Sequence, residues 1–130
     1  MRQLRLDLEH EPAAAPAARR GVLEFLRDAW PDYSGEPAGS ELLADVAIVV
    51  SELVSNAVRH GRPPVCMEVE AGDDGNLHTV RVTCHDSGPW DGTPPHPDGG
   101  RGFVLLRGLA TDVMIDADRQ HTTVAALLVG

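Results

Sequence analysis

The chain has 130 residues, 42% of them hydrophobic, which is enough for one domain with a buried core. Its formal net charge of -9 would repel phosphate backbones and anionic lipids, so we expect no direct nucleic-acid partner and no membrane partner. All eleven basic residues are Arg, and the absence of Lys excludes a Walker A loop, an ordinary protein kinase site and Schiff-base chemistry.

The first quarter of the chain predicts a strand, a helix and a connection. Residues 2–8 alternate in polarity, with Leu at every second position, as in a strand with one buried face. Apolar residues at the helical period predict a first helix over residues 17–30. The Pro- and Gly-rich segment 31–39 is expected to be a polar connection.

A second helix is predicted over residues 40–60, with Ser40 as its N-cap and Gly61 as its C-terminal stop. The second half of the chain then predicts two hairpins separated by a loop and a short helix. The bounds in chain order are strands 65–71 and 78–86, loop 87–102, helix 103–110, and strands 112–116 and 122–129.

This order of elements, β-α-α-β-β-α-β-β, predicts an α/β two-layer sandwich. Its sheet would be mixed but mainly antiparallel, with the helices on one face. No repeat or second domain is predicted, so residues 1–130 are expected to form one domain. The N-terminal residues lack the apolar segment of a signal peptide, and Cys66 and Cys84 have no CxxC spacing. We therefore expect a cytoplasmic protein with two reduced thiols.

A polar stripe runs along the second helix. At 100° per residue, Asn56 lies about 40° from Glu52, and Arg59 lies about 20° to the other side. A solvated helix face would explain such a stripe. However, Ile48 and Val49 flank it, and Asn is a poor residue for a helix interior unless its amide is used. A carboxylate and an amide one turn apart can also hold hydrated Mg²⁺ and orient a hydroxyl for phosphoryl transfer.

Two further segments have both an ordinary and a functional interpretation. Asp86 ends an apolar strand and precedes Ser-Gly, which fits an Asx-type turn or a carboxylate placed to bind a base. The glycines of DGGRGFVLL, residues 98–106, fit a simple loop or a phosphate-binding helix N-terminus. The latter segment is not the dinucleotide fingerprint, because Leu105 stands where the third Gly would be.

Taken in order, these segments resemble the GHKL, or histidine kinase-like, ATPase superfamily. The segment ELVSNAVRHG resembles its N box, DSG its first Gly box and GGRGF its second. HTTV falls where the family has a Gly-Thr contact to the adenine. The spelling of the N box and the length of the chain are most similar to bacterial anti-sigma factor serine/threonine kinases.

The resemblance implies a Bergerat-type fold that binds ATP and Mg²⁺. By position, Glu52 would be the general base and Asn56 the Mg²⁺ ligand. Asp86 would bind the adenine amino group with Gly88 beside the base, and Thr122 would support this contact through a water. The phosphates would be held by residues of the second Gly box, where Arg101 is the nearby cation of a Lys-free chain: Gly100, Arg101 and Gly102.

Three features depart from the family pattern. Trp90 replaces a second Gly in the first Gly box, His121 replaces the Gly before Thr122, and the Pro-rich lid, residues 89–100, is short. These departures are compatible with a reduced affinity for ATP. No metal site is expected at the histidines, because no pair has the i, i+4 spacing on a helix and HExxH is absent: His10, His78, His85, His96 and His121. A Ser hydrolase is not expected either, since G-x-S-x-G is absent.

The expected function is that of an anti-sigma factor, which binds a sigma factor and phosphorylates Ser or Thr on an anti-sigma factor antagonist. The resemblance also allows a homodimer. One alternative is a non-catalytic partner-binding module in which ATP is structural or absent. The other is a detached histidine-kinase ATPase domain, although the sequence has no dimerisation helix pair with a phosphoacceptor His.

Overall fold

The computed structural model describes residues 1–89 and 100–130, and of residues 100–104 it describes the backbone only. The predicted order of elements is confirmed, with one additional 3₁₀ turn. The elements are β1 (Arg2–Leu8), α1 (Ala14–Ala29), the 3₁₀ turn (Tyr33–Gly35), α2 (Pro37–His60), β2 (Val65–Asp73), β3 (His78–Asp86), α3 (Gly100–Leu109), β4 (Asp112–Ala117) and β5 (Thr122–Val129). None of the helices described has both the length and the apolarity needed to cross a membrane.

The five strands form one sheet in the order β1-β2-β3-β5-β4. All four pairings between the described strands are antiparallel, so this sheet is antiparallel rather than mixed. The residues of each strand alternate between the two faces of the sheet. One face is covered by the helices, and the predicted two-layer α/β sandwich is confirmed.

The core lies between the helices and the covered face of the sheet. The strands contribute alternate residues, such as Val65, Met67 and Val69 of β2, which are almost completely buried. From α2 the largest contribution is a run of apolar residues on one side of the helix: Leu42, Leu43, Val46, Val49, Val50, Leu53, Val54 and Ala57. Val49, which was expected to flank the polar stripe, is fully buried, so the core extends close to the position of Asn56.

Both long helices begin three residues earlier than predicted, α1 at Ala14 and α2 at Pro37. The prediction that Ser40 caps α2 is wrong, because Glu36 is the N-cap and Pro37 occupies the first turn. Proline suits this position, since its fixed φ is helical and its missing N–H would have no partner there. The predicted C-terminal stop of α2 at Gly61 is confirmed, with the Gly61 N–H donating to the carbonyl of Ala57 at 3.0 Å.

Tyr33, in the connection before α2 that was predicted to be merely polar, belongs to an aromatic cluster. The rings of Tyr33 and His78 stack with centroids 3.5 Å apart, and Trp30 packs edge-on against both. A Cβ at Gly39 would overlap the carbonyl oxygen of Tyr33, so the 3₁₀ turn packs tightly on the first turn of α2. This packing explains why α2 includes residues that the sequence assigned to the connection.

Each of the two hairpin turns is built on one aspartate. Asp74 accepts hydrogen bonds from the N–H groups of Asn76 and Leu77 in the β2–β3 turn. Asp118 accepts in the same way from Gln120 and His121 in the β4–β5 turn, at 2.7 and 2.8 Å. These N–H groups lower the pKa of both carboxyls, because they favour the charged form. The second turn fixes the backbone that leads into Thr122.

Candidate functional site

Three elements meet at one end of the sheet. The last residue of β3, Asp86, faces the first residue of β5, Thr122, as a register partner. The chain that leaves α2 lies against this pair, because the N–H of Ser87 donates to the carbonyl of Arg62 at 2.9 Å. The N box and the first Gly box, separate in the sequence, are therefore in contact.

Asp86 is the one charged residue buried within the described part of the chain, with 9% of its surface exposed. Its Oδ1 accepts a hydrogen bond from the N–H of Gly88 at 2.7 Å. Burial raises the pKa of the Asp86 carboxyl, while the N–H groups of Gly88 and Arg62 and the charge of His10 oppose this shift. Among the residues described, no Arg or His forms an ion pair with Asp86.

Two glycines allow the chain to approach Asp86 closely. A Cβ at Gly61 would lie 2.6 Å from Asp86 Oδ1, and a Cβ at Gly88 would lie 2.9 Å from Gly61 Cα. Gly61 has a φ of -93°, so lack of space, rather than a left-handed conformation, requires glycine there. The glycine that ends α2 and the glycine of DSG thus form one unit around the buried carboxylate.

Thr122 fixes the loop that follows Asp86. Its Oγ1 donates a hydrogen bond to the carbonyl of Gly88 at 2.8 Å, across 34 residues of sequence. The hydroxyl oxygen keeps acceptor capacity for a further partner. The structure therefore brings together the three residues that the resemblance assigned to binding of the adenine: Asp86, Gly88 and Thr122.

Glu52 and Asn56 lie one turn apart on α2 and are both partly exposed. Neither side chain makes a hydrogen bond to another of the residues described here. At 1.5 Å per residue, Asn56 is about 7.5 Å and Glu52 about 13.5 Å along the helix from Gly61. Since Gly61 lies against Asp86, Asn56 and then Glu52 lie at increasing distances along α2 from the buried carboxylate.

Glu52 also borders a shallow cavity of about 280 Å³ between α1 and α2. Its other lining residues are Arg19, Ala47, Ile48 and Ser51. Arg19 Nη1 donates to Ser51 Oγ at 3.3 Å, and Ile48 is 41% exposed. Glu52 is thus accessible from the outer surface of the helical layer.

The predicted phosphate-binding residues fall in the first turn of α3, which begins at Gly100. The side chains of residues 100–104, including Arg101, lie outside the described part of the structure, and Gly100 and Gly102 are described only as backbone. Trp90 and most of the predicted lid also lie outside the described residues. The roles assigned to these residues remain predictions.

Sequence reasoning missed two contributors to this end of the molecule. It assigned Gly61 only as a helix stop, although the pattern His-Gly at the end of the N box could have indicated a close approach. It gave no role to His10, whose Nε2 donates to the carbonyl of Gly61 at 3.3 Å. The expectation that His85 belongs to no metal site depended on spacing along the sequence, whereas strand pairing places His85 beside Cys66 and close to Glu68.

The chain is similar to known proteins in sequence and in fold. The histidine kinase-like ATPase domain matches residues 8–127 of the chain. The structure of the RsbU and RsbW domains of Rv1364c from Mycobacterium tuberculosis is similar, with 23% sequence identity and a TM-score of 0.72. That likeness covers 98% of this chain and 32% of the other, so the chain spans about a third of that protein's length.

A second similar structure is the histidine kinase domain from the Erythrobacter litoralis EL346 blue-light activated histidine kinase. It is 17% identical with a TM-score of 0.51, and the likeness covers 88% of this chain and 60% of that one. At these identities the two structures show a shared fold. The family match is more specific and extends over most of the sequence. The chain therefore belongs to the histidine kinase-like ATPase family.

Proposed function

We propose that this domain binds ATP with Mg²⁺ and acts as an anti-sigma factor with serine/threonine protein kinase activity. The observation that carries the ATP site is Asp86, a buried carboxylate with no cationic partner among the described residues. An unpaired buried carboxylate is costly unless hydrogen-bond donors compensate it. The amino group of adenine is a donor of the required kind, and 9% of the surface of Asp86 remains exposed.

The departure at His121 does not obstruct this site. The His121 side chain is 65% exposed, and its Nδ1 lies 3.8 Å from Asp118 in the β4–β5 turn. Only its backbone is needed to lead into Thr122, and that backbone is held by the hydrogen bond to Asp118. The replacement of Gly by His is therefore compatible with a base bound against Thr122.

The triphosphate would extend from Asp86 along α2 towards Glu52. Asn56 would hold Mg²⁺, which neutralises phosphate charge when it is bound. The first turn of α3 would bind the phosphates through backbone N–H groups, with Arg101 as the cation. This arrangement needs no Lys, in agreement with the composition.

Glu52 would accept the proton of the attacking Ser or Thr hydroxyl of an antagonist protein. Its partial exposure supports this role, because a partner's side chain must reach it from solvent. The choice of the anti-sigma branch depends on the N-box spelling ELVSNAVRHG, and the likeness to a structure with an RsbW domain is compatible with it. The partners would be a sigma factor and its anti-sigma factor antagonist, in the cytoplasm.

The proposal is tested in two stages. Saturating ATP with Mg²⁺ should raise the melting temperature, because a ligand that binds only the native state stabilises it by mass action. An unmoved melting curve would contradict the ATP site. Transfer of radiolabelled phosphate to a candidate antagonist then tests the kinase. ATP binding without transfer to any antagonist would favour a non-catalytic partner-binding module.

A further inference from the structure

The open face of the sheet, opposite the helices, carries a row of side chains that crosses all five strands. Strand register places these residues directly beside one another: Asp7, Cys66, His85, Thr123 and Asp116. Glu68 lies two residues beyond Cys66 on β2 and so points to the same face. Cys66 and His85 are partly buried, and Glu68 is exposed.

Three metal-ligating atoms converge in this row. A carboxylate oxygen of Glu68 lies 3.1 Å from Nε2 of His85, and both groups and the Cys66 sulfur offer ligand atoms within 4.8 Å of one another. In a tetrahedral site with metal–ligand distances of roughly 2.0–2.3 Å, ligand atoms lie about 3.3–3.8 Å apart. Small side-chain rotations would therefore bring the three atoms onto one ion.

We propose that Cys66, Glu68 and His85 form a binding site for a divalent transition-metal ion of the Zn²⁺ type, with a fourth position open to water. Thiolate, imidazole and carboxylate together are typical ligands of Zn²⁺. Mg²⁺ and Ca²⁺ prefer oxygen ligands only, so they are poor candidates. Two anionic ligands neutralise the charge of the ion.

The partner of the second imidazole nitrogen supports this assignment. Nδ1 of His85 lies 2.9 Å from Oγ1 of Thr123. In the neutral tautomer with its proton on Nε2, Nε2–H donates to Glu68 and Nδ1 accepts from the Thr123 hydroxyl. With metal bound through the Nε2 lone pair, the imidazole proton would lie on Nδ1, and Nδ1–H would donate a hydrogen bond to Thr123 Oγ1. A fixed outer partner of this kind orients a metal-binding histidine.

The neighbouring charges are balanced around the site. Arg5 of β1 faces Glu68, but its guanidinium lies 3.6 Å from Asp7, which offsets its repulsion of a cation. Burial raises the pKa of the Cys66 thiol, Arg5 opposes the shift, and Glu68 and Asp7 add to it. Cys66 would bind the metal as a thiolate, so metal binding would release the thiol proton to solvent.

The site is independent of the proposed ATP site. His85 and Asp86 are consecutive on β3, so their side chains point to opposite faces of the sheet. Failure of either proposal therefore leaves the other intact.

The test uses the whole chain without an affinity tag, reduced and treated with a chelator. Zn²⁺ is titrated against a chromophoric competitor, and Co²⁺ reports a thiolate bond through its charge-transfer absorption. We expect one ion per chain and a Co²⁺–thiolate band. Cys84 remains in every variant and serves as the internal control. It should give no Co²⁺–thiolate band, because burial raises the pKa of its thiol to about 12.

Cys66→Ser should abolish the Co²⁺–thiolate band, and His85→Gln should weaken Zn²⁺ binding by more than the roughly 10–100-fold typical of outer-partner changes. Thr123→Val should weaken binding by about 10–100-fold while keeping the band. Glu70 lies two residues beyond Glu68 on the same face of β2, so Glu70→Gln is the matched control and should bind Zn²⁺ as wild type does. Circular dichroism of each metal-free variant verifies folding. Binding that is unaltered in both Cys66→Ser and His85→Gln, or absent in wild type, would overturn the proposal.

Discussion

Asp86→Asn should change the ATP response and the stability of the free protein in different ways. The substitution keeps the size of the side chain and an acceptor for the Gly88 N–H, but it removes the buried charge. A hydrogen bond to a charged group contributes about 1.5–3 kcal/mol, so the dissociation constant for ATP should rise by roughly 10–150-fold.

The corresponding thermal shift follows from mass action. At an ATP concentration about 100 times the wild-type dissociation constant, wild type gains about 2.7 kcal/mol of stability. At the same concentration the variant should gain only about 0.3–1.4 kcal/mol. Asp112→Asn, at an exposed position of β4, is the matched control and should keep the full shift.

The nucleotide-free variant should be at least as stable as wild type near neutral pH. Burial raises the pKa of Asp86, so the native state binds this proton more tightly than the unfolded chain. Protonated Asp86 contributes its full stabilisation at a pH below its pKa in the unfolded chain. That contribution to the free energy of unfolding is lost as the pH rises through the pKa of Asp86 in the folded protein. Differential scanning fluorimetry with and without ATP measures both effects. A variant with the wild-type ATP shift would refute the role of Asp86 in binding.

The remaining predictions concern α2 and the chain that follows it. Gly61→Ala should destabilise the protein by about 1–3 kcal/mol in a denaturation experiment, because the new Cβ would crowd Asp86. Gly35→Ala is the control. Its new Cβ would have nothing within 4 Å, so the denaturation midpoint should be nearly unchanged. Glu52→Ala should keep ATP binding and lose phosphate transfer, since a general base acts on the attacking hydroxyl. Glu41→Ala, on the same helix, is the control and should keep both. Transfer by Glu52→Ala at the wild-type rate would remove Glu52 from the mechanism. Asn56→Ala should weaken ATP binding in the presence of Mg²⁺ but not in its absence, as measured by calorimetric titration.

Local sequence pattern was sufficient for most of the fold. The bounds of β3 and β5 were predicted as the structure has them, because alternating polarity and turn residues act within a few positions. The start of α2 was not predictable in this way. It depends on the contact between Gly39 and the carbonyl of Tyr33, which the helical period and the cap preference of Ser40 do not report.

The residues of the candidate site were named from sequence, but their arrangement was decided by tertiary structure. The motifs identified Asp86, Gly88 and Thr122, yet the hydrogen bond from Thr122 to Gly88 forms only because β3 and β5 pair. The need for glycine at position 61 likewise arises from the packing of α2 against the end of β3. Motif spelling records which side chains are present. The burial of Asp86, and its lack of an ion pair with any residue in the described ranges, depend on the surrounding elements.

The cluster on the open face is the clearest case of a feature that the sequence alone did not reveal. Cys66 and His85 are far apart in the chain and fit no local metal-binding motif. They become neighbours through the register of β2 on β3, and Thr123 joins them through the register of β5. Strand pairing is a long-range property, so the chemistry of a sheet face emerges only when the strands are assembled.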